Sequence, residues 1–432
     1  MKITQFHPVF LLFCTLFGPH SSLSAQHSSQ SASQPRRPFP QHTRYAAGTI
    51  LPDNHSRAAL DDSTRSFYMQ WKKKFVRPAC TAGDFYIWFE GIRTGAKQCV
   101  SEGQGYGMLI TALMAGADPL AQNTFDGLFR YYKAHPSKRS PWLMAWAQKQ
   151  NCTNVDGSSA TDGDLDIAYA LLLADAQWGS KEKEGIDYRT AALHMIDAIR
   201  QQELNQQTYA VLLGNSVEYD SKDYFDSRTS DFMPDHFRAF KNATKDSAWD
   251  HALDNNYRLF KFLQDTYSPE AGLVPDFVQK IHIGASTKST SISAIPAKSR
   301  YLETRYDGVY YYNACRVPWR IASDFLLHGD PRAAAFLDRI NHWLRATTKD
   351  NPDNISAGYT LSGEDLPKHY FEALSFITPF TVSAMTGKQN QPWLNACYDY
   401  LTRFKVQDFD YYDNSIKMIG LIILSGNYWS PE

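Results

Sequence analysis

The chain has 432 residues and a formal net charge of -1 at pH 7, so no basic excess is available to draw in nucleic acid or an anionic membrane surface. A hydrophobic fraction of 43% and a charged fraction of 21% are those of an ordinary soluble globular protein. Length alone would allow two or three domains, although barrels of this size often fold as one. Aromatic residues make up 14% of the chain, with 25 Tyr, 25 Phe and 10 Trp. Such rings bury large areas in a core. Flat rings also stack on the apolar faces of pyranose sugars.

In chain order, the first residues read as a secretory signal. Lys2 supplies a weak positive start, Val9 to Phe17 form a short apolar run, and Leu23-Ser24-Ala25 offers a small-residue cleavage site before Gln26. The run is too short to span a membrane, and no later stretch approaches the roughly 18 apolar residues that would. The expectation is a signal peptide over 1–25 and a mature protein that is secreted or periplasmic, with no membrane contact after cleavage. Residues 26–45 are rich in Ser, Gln and Pro and read as a flexible linker. The folded domain is expected over 46–432.

Of six cysteines, Cys14 leaves with the signal, and Cys80, Cys99, Cys152, Cys315 and Cys397 remain. No CxxC or Cys/His cluster suggests zinc, and no metal or cofactor is expected. Cys80 and Cys99 flank one short segment and could pair in an oxidising compartment. Buried free thiols are the competing reading.

From there the periodicity is helical. Apolar spacing predicts helices over 66–75, 106–115, 162–178, 188–203, 231–244, 246–266, 320–327, 331–348, 371–384 and 390–404. The clearest is 162–178, where Ile167, Ala168, Leu171, Leu172, Ala174 and Trp178 form a broad stripe and Thr161 or Asp162 sits where an N-cap belongs. Strand-like alternation is scarce, with one short candidate at Tyr209–Leu213. Many helices without βα alternation predict an all-α domain. The stretch 267–312 is the longest irregular one, and loops of that length are often functional.

Three segments combine carboxylates, aromatics and glycines. In Val100–Met108 (VSEGQGYGM), Ser101 can cap a helix that places Glu102 at its N-terminus. Gly103, Gly105 and Gly107 cost helix stability, which a closely approaching ligand would explain. In Ala160–Trp178 (ATDGDLDIAYALLLADAQW), Asp162 and Asp166 share a helix face while Asp164 points elsewhere. The Asp-x-Asp-x-Asp start matches a calcium loop, but Ile167 replaces the required Gly and Leu173 the closing Glu, which rejects it. Favourable placement of acids at a helix N-terminus is the bland alternative. The third segment, Tyr301–Asp324, gathers Glu303, Asp307, Tyr306 to Tyr312, Asn313, Arg316, Trp319 and Arg320, a mixture that suits the floor of a polar groove.

Together these residues resemble glycoside hydrolase family 8, a family of endoglucanases, lichenases, chitosanases and xylanases. Its signature is matched from Ala160-Thr161-Asp162-Gly163-Asp164 through Trp178. Its S-E-G-Q-x-Y-G-M segment is similar to Ser101–Met108, and its R-x-P-W-R-I segment to Arg316–Ile321. Arg228–Pro234 and Asp413–Asn427 also look familial, so the resemblance spans roughly residues 60–430. It implies an (α/α)6 barrel and an inverting endo-hydrolase of β-1,4-linked polysaccharide; nothing in the residues sets an oligomeric state, and a monomer is the default expectation. It implies Glu102 as general acid and Asp162 as the residue that binds and distorts the sugar. Tyr106, Trp142, Trp146 and Trp319 are candidate sugar platforms, each with core packing as the competing role. Asp164, Asn313 and Arg316 join them as candidate substrate-binding residues.

One departure matters. The endoglucanase-type branch carries its catalytic Asp where this chain has Asn313, and an amide cannot accept that proton. A second branch resembles this sequence, with Asn there and a Glu base in the preceding segment. Glu303 fits best and Asp307 is the runner-up. That branch keeps chitosan, mixed-linkage glucan and β-1,4-glucan open as substrates. A catalytically silent polysaccharide-binding protein is the alternative from another class. A uronate lyase finds no support in the neutral charge balance.

Overall fold

The computed structural model describes residues 34–89, 97–180, 185–284, 291–367, 370–407 and 410–431. The signal segment and residues 26–33 of the expected linker lie outside the described residues. The helices are α1 (Arg57–Phe75), α2 (Ser101–Leu113), α3 (Ala121–Ala134), α4 (Thr161–Trp178), α5 (Tyr188–Gln202) and α6 (Pro234–Thr244). They continue with α7 (Ala248–Tyr267), α8 (Val317–His328), α9 (Pro331–Thr348), α10 (Leu374–Ala384), α11 (Gln391–Arg403) and α12 (Tyr411–Leu424).

The even-numbered helices form an inner ring. Each packs on the next, α2 on α4, α4 on α6, α6 on α8, α8 on α10, α10 on α12, and α12 returns to α2 to close it. The odd-numbered helices form the outer ring, with α3, α5, α7, α9 and α11 each against the inner helix before it and α1 against α12. This is the (α/α)6 barrel. The sequence separates the layers physically. Along α2, α10 and α12 nearly every side chain is buried, as a helix surrounded by other helices requires. Outer α3 and α7 bury one stripe and present the rest to solvent.

α3 and α12 were not among the predicted helices. α12 is buried nearly all round, its Asp413, Asn414 and Lys417 included, so no amphipathic period marks it. α2 begins at Ser101, so Glu102 lies in its first turn as the reading of Ser101 as a helix cap had it, although the apolar spacing alone starts only at 106; the glycines that argue against helix are needed by packing. A Cβ on Gly105 would lie 2.7 Å from the Asp166 Cβ and 3.1 Å from the Gly163 carbonyl oxygen. One on Gly163 would lie 2.5 Å from the Ser101 carbonyl carbon. These glycines let α2 and α4 touch backbone to backbone, so neighbouring helix, not ligand, explains them. The predicted side-chain caps are also replaced. Ser101 and Thr161 are the first residues of their helices, preceded by Val100 and Ala160 without a capping side chain.

Among the described residues, nine short strands decorate the loops. Inside the long irregular stretch, Phe277–Ile283 pairs with Ile292–Pro296 and with Ser227–Arg228, which anchors the loop bearing Glu303. The expected strand at 209–213 is a single bridge between Leu204 and Val211.

Residues 34–45, expected to be part of a flexible linker, lie along the end of the barrel where the inner helices finish. Arg36 donates its backbone N–H to Gln177, Phe39 to Ala115, Thr43 to Gly426 and Ala46 to Leu326. Helix C-termini leave carbonyls unpartnered, and this segment supplies donors. Phe39 is buried. The disulfide joins Cys80 to Cys152, not to Cys99. Cys99 sits on the strand Lys97–Val100 and is buried beside Gln104, and Cys315 and Cys397 are likewise buried free thiols. No helix among the described residues is long and apolar enough to cross a membrane.

Gly105→Ala should lower stability by about 1–3 kcal/mol, because neither backbone can retreat from the added methyl. Urea unfolding measures this, and a loss below about 0.5 kcal/mol would contradict the close packing of α2 on α4.

Candidate active site

Glu102 is the second residue of α2, Asp162 the second of α4, and Tyr411 the first of α12. Arg228 and Ser230 precede α6, and Asn313 and Arg316 precede α8. All stand at the N-terminal ends of inner helices. In a closed ring whose inner helices run parallel, those ends converge. Their unpaired N–H groups and dipoles favour negative charge there.

They surround a cavity of about 530 Å³, lined by Phe89, Val100, Ser101, Glu102, Trp146, Ala160, Asp162, Arg228, Glu303, Tyr312, Asn313, Tyr411 and Tyr412. Beneath it Arg316 is fully buried and donates in four directions. One nitrogen, Nη1, donates to Glu102 Oε2 and at 2.9 Å to Asp162 Oδ2. The other, Nη2, reaches Ser230 Oγ at 2.7 Å and Asn313 Oδ1 at 3.0 Å. Arg228 extends the network, donating to Asp162 Oδ2 at 3.1 Å and to Glu303 Oε1 at 3.3 Å. Asn313 Nδ2 donates to Glu303 Oε2 at 2.8 Å.

The carboxyls differ in their titration. Burial pushes Glu102 up to about 7, against the opposing pull of Arg316, with the Asp162 charge adding to the rise. Tyr411 donates its hydroxyl to Glu102 Oε1 and lowers it somewhat. Burial would raise Asp162 too, but Arg228, Arg316 and the Gly163 N–H hold it at about 2. One carboxyl is thus poised to carry a proton near neutrality while its neighbour stays ionised. Glu303 keeps 41% of its side chain exposed in the cavity.

Of the residues singled out from the sequence, Glu102, Asp162, Glu303, Asn313 and Trp146 line this cavity. The others do not. Asp307 is buried and accepts the backbone N–H groups of Leu302, Glu303 and Thr304, so it shapes the turn that presents Glu303. Asp164 is buried on another side of α4, accepting from Met144 N–H and paired with Glu203, and burial with that second carboxyl pushes it well up. Tyr106 is buried, and Trp319 is buried with the Arg320 guanidinium stacked 3.8 Å from its ring. Trp142 packs on His194 with Lys133 over its other part, away from the cavity lining. Arg316 lies under the floor and holds carboxylates in place. Aromatic richness could not separate these core rings from cleft rings, because both roles select the same residue types.

Sequence reasoning missed Arg228, Tyr411 and Tyr412 as site residues, although Arg228 opens a motif it had noticed, and it had Tyr312 only as one of a run of tyrosines. It also missed Asp276, buried behind Asn313 and accepting from Tyr311 N–H at 2.9 Å and Ala314 N–H at 2.7 Å. Burial pushes Asp276 up to about 7. A lone Asp in Val274-Pro275-Asp276 carries no pattern that could have found it. Among the described residues no group of three or more His, Cys, Asp or Glu is arranged to hold a metal ion.

A closed double ring of helices with carboxyls gathered at one end is the architecture of a glycoside hydrolase. The family model described as glycosyl hydrolases family 8 matches residues 56–426, and the chain belongs to that family. It is 42% identical over 397 residues to a beta-glucanase of Niallia circulans, covering 92% of each chain. It is 36% identical over 422 residues to an endoglucanase of Bacillus sp. (strain KSM-330), covering 95% of this chain and 86% of that one. Among solved structures it resembles a beta-1,3-1,4-glucanase from Paenibacillus sp. X4, with a TM-score of 0.84, 41% identity, and coverage of 92% of this chain and 100% of the other.

Two measurements check the network. Tyr411→Phe removes a donor that favours the ionised form of Glu102, so the Glu102 carboxyl should titrate above about 7 by carbon NMR. An unchanged or lower value would show that the contact does not act on Glu102. Arg316→Met strands two carboxylates beneath the cavity and should cost about 3–5 kcal/mol in urea unfolding, and a loss under about 1 kcal/mol would remove Arg316 from this role.

Proposed function

We propose that the protein is an exported, inverting endo-hydrolase of β-1,4-linked glucan chains, with Glu102 as general acid and Glu303 as general base. The observation that carries this is the pair of unlike carboxyls on one cavity. Glu102 is set into the wall and raised to about 7, whereas Glu303 is exposed and held by two hydrogen-bond donors. In the reaction, Glu102 passes its proton to the glycosidic oxygen as the bond from the anomeric carbon to that oxygen breaks. Glu303 takes a proton from a water that attacks the same carbon from the opposite face. Such a pair is expected with its carboxyl groups roughly 6.5–9.5 Å apart in the substrate complex, leaving room for the water.

Asp162, held ionised by Arg228 and Arg316, accepts hydroxyls of the sugar beside the broken bond and favours its distorted ring. Asn313 serves as a strut. Its amide oxygen accepts from Arg316 and its nitrogen donates to Glu303, a polarity that a carboxylate could not supply. This supports placing the chain in the branch whose base comes from the preceding segment. Phe89, Trp146, Tyr312, Tyr411 and Tyr412 provide rings for stacking on glucose units. The beta-glucanase and endoglucanase relatives support a glucan as substrate, and the leader read over 1–25 supports export.

The test is reducing-end release from barley β-glucan, carboxymethyl-cellulose, chitosan and xylan, beside Glu102→Gln and Glu303→Gln. Each variant should lose roughly 10²–10⁴-fold in kcat. Proton NMR of the first product should show the α-anomer. Activity retained in Glu303→Gln would remove it as the base, an initial β-anomer would exclude inversion, and binding without release on every polysaccharide would favour a silent binding protein.

A further inference from the structure

Glu303 lines a second cavity as well, of about 330 Å³, together with Arg300, Leu302, Thr304 and Arg305. The cleft therefore continues past the proposed base onto a turn that presents two cations. The turn is closed by the Arg300 N–H donating to the Thr304 carbonyl at 2.8 Å and by Ser299 Oγ donating to the Arg305 carbonyl at 3.0 Å. Arg305 lies over the Tyr306 ring, 4.6 Å from its centre, and donates to the Tyr306 hydroxyl at 2.6 Å. Tyr306 is tied in turn to the Pro367 carbonyl at 3.0 Å. Both arginines are exposed, and among the described residues neither forms an ion pair with a carboxylate. The one carboxylate lining this cavity, Glu303, is engaged by Arg228 and Asn313.

Charge is therefore uneven along the cleft. In the main cavity the Asp162 and Glu303 carboxyls face Arg228, with Arg316 beneath pairing Glu102 and Asp162, so acids and cations are matched. In the second cavity two guanidinium groups stand without an ion-pair partner among the described residues, because Glu303 is taken up by Arg228 and Asn313. A guanidinium fork donates readily to sugar hydroxyls and to carboxylates and repels an ammonium group. We infer that the arm of the cleft bounded by Arg300, Arg305 and Leu302 is a glycan subsite that accepts neutral and carboxylate-bearing sugars and rejects amino sugars, making these two arginines specificity-determining residues. This rests on the reading of the main cavity as a polysaccharide site, and it selects against chitosan among the substrates that the sequence left open.

The experiment uses the Glu102→Gln protein, which binds without cutting, and compares cellohexaose with the fully deacetylated hexamer of glucosamine by calorimetry at about pH 6. Cellohexaose should bind at least about tenfold more tightly. That preference should shrink at least about tenfold in Arg300→Glu/Arg305→Glu, and shrink in the parent as salt screens the charges. A preference unchanged within about twofold in the charge-reversed protein, equal binding of the two hexamers by the parent, or binding of neither overturns the inference. Should the reversed variant not fold, as judged by its thermal transition, Arg300→Gln/Arg305→Gln decides on the same criterion with a smaller expected change. Failure of the unmodified enzyme to release reducing ends would sink the hydrolase reading instead, and the binding preference would still decide this one.

Discussion

Arg316 is buried beneath the cleft, and the carboxyls above it depend on its charge. A guanidinium out of water is costly unless each N–H finds an acceptor. Here Glu102, Asp162, Ser230 and Asn313 supply them, and these come from four different inner-helix junctions. The same interaction that neutralises the cation fixes the relative positions of the ends of α2, α4, α6 and α8. One turn deeper the arrangement repeats. Arg320 holds Asp166 through two bonds of 2.6 Å, and His236 approaches the same carboxylate at 2.9 Å. Residues 316 and 320, and 162 and 166, are each separated by one helical turn, so the two layers follow from helix periodicity.

The close approach of α2 and α4 makes this geometry possible. Gly105 and Gly163 remove the side chains that would hold the helices apart. Glu102 and Asp162 then share one guanidinium, yet they titrate in opposite directions. For Asp162 burial is outweighed by the two arginines and a backbone N–H, whereas for Glu102 burial and the Asp162 charge outweigh Arg316, the Tyr411 hydroxyl and Arg228. Two like carboxyls driven apart in this way are what acid chemistry at neutral pH requires. The opposite wall is built differently. Glu303 stands on a loop anchored by a three-stranded sheet and shaped by Asp307, so it is exposed and supported from below.

Much of the fold was legible because helical periodicity is local. Ten of the helices announce themselves by apolar spacing or by the run of residues about a clear centre, and α9 was read at its observed bounds. α12 escaped because burial on nearly all sides erases the period, and the apolar spacing of α2 starts late because its glycines serve a neighbour that local reasoning cannot see, although Ser101 had marked its start. The same distance in sequence explains the disulfide. Cys99 is nearer to Cys80 along the chain, but Cys152 is its partner in space.

Residue chemistry marked Glu102 and Asp162 at helix starts and gathered Glu303 and Asn313 in one polar segment, whereas the roles expected of them came from the resemblance to glycoside hydrolase family 8. It could not divide the aromatic and charged residues between cleft and core. Tyr106, Trp319, Asp164 and Arg316 are buried outside the cavity lining, while Tyr411, Tyr412 and Arg228 line it. That division is made by the direction in which each helix face points once the ring closes. Periodicity and composition mark most of the helical segments, though not α3 or α12, and which groups can carry a proton. Closure of the ring decides which of those groups meet, which are desolvated, and hence at what pH each gives up its proton.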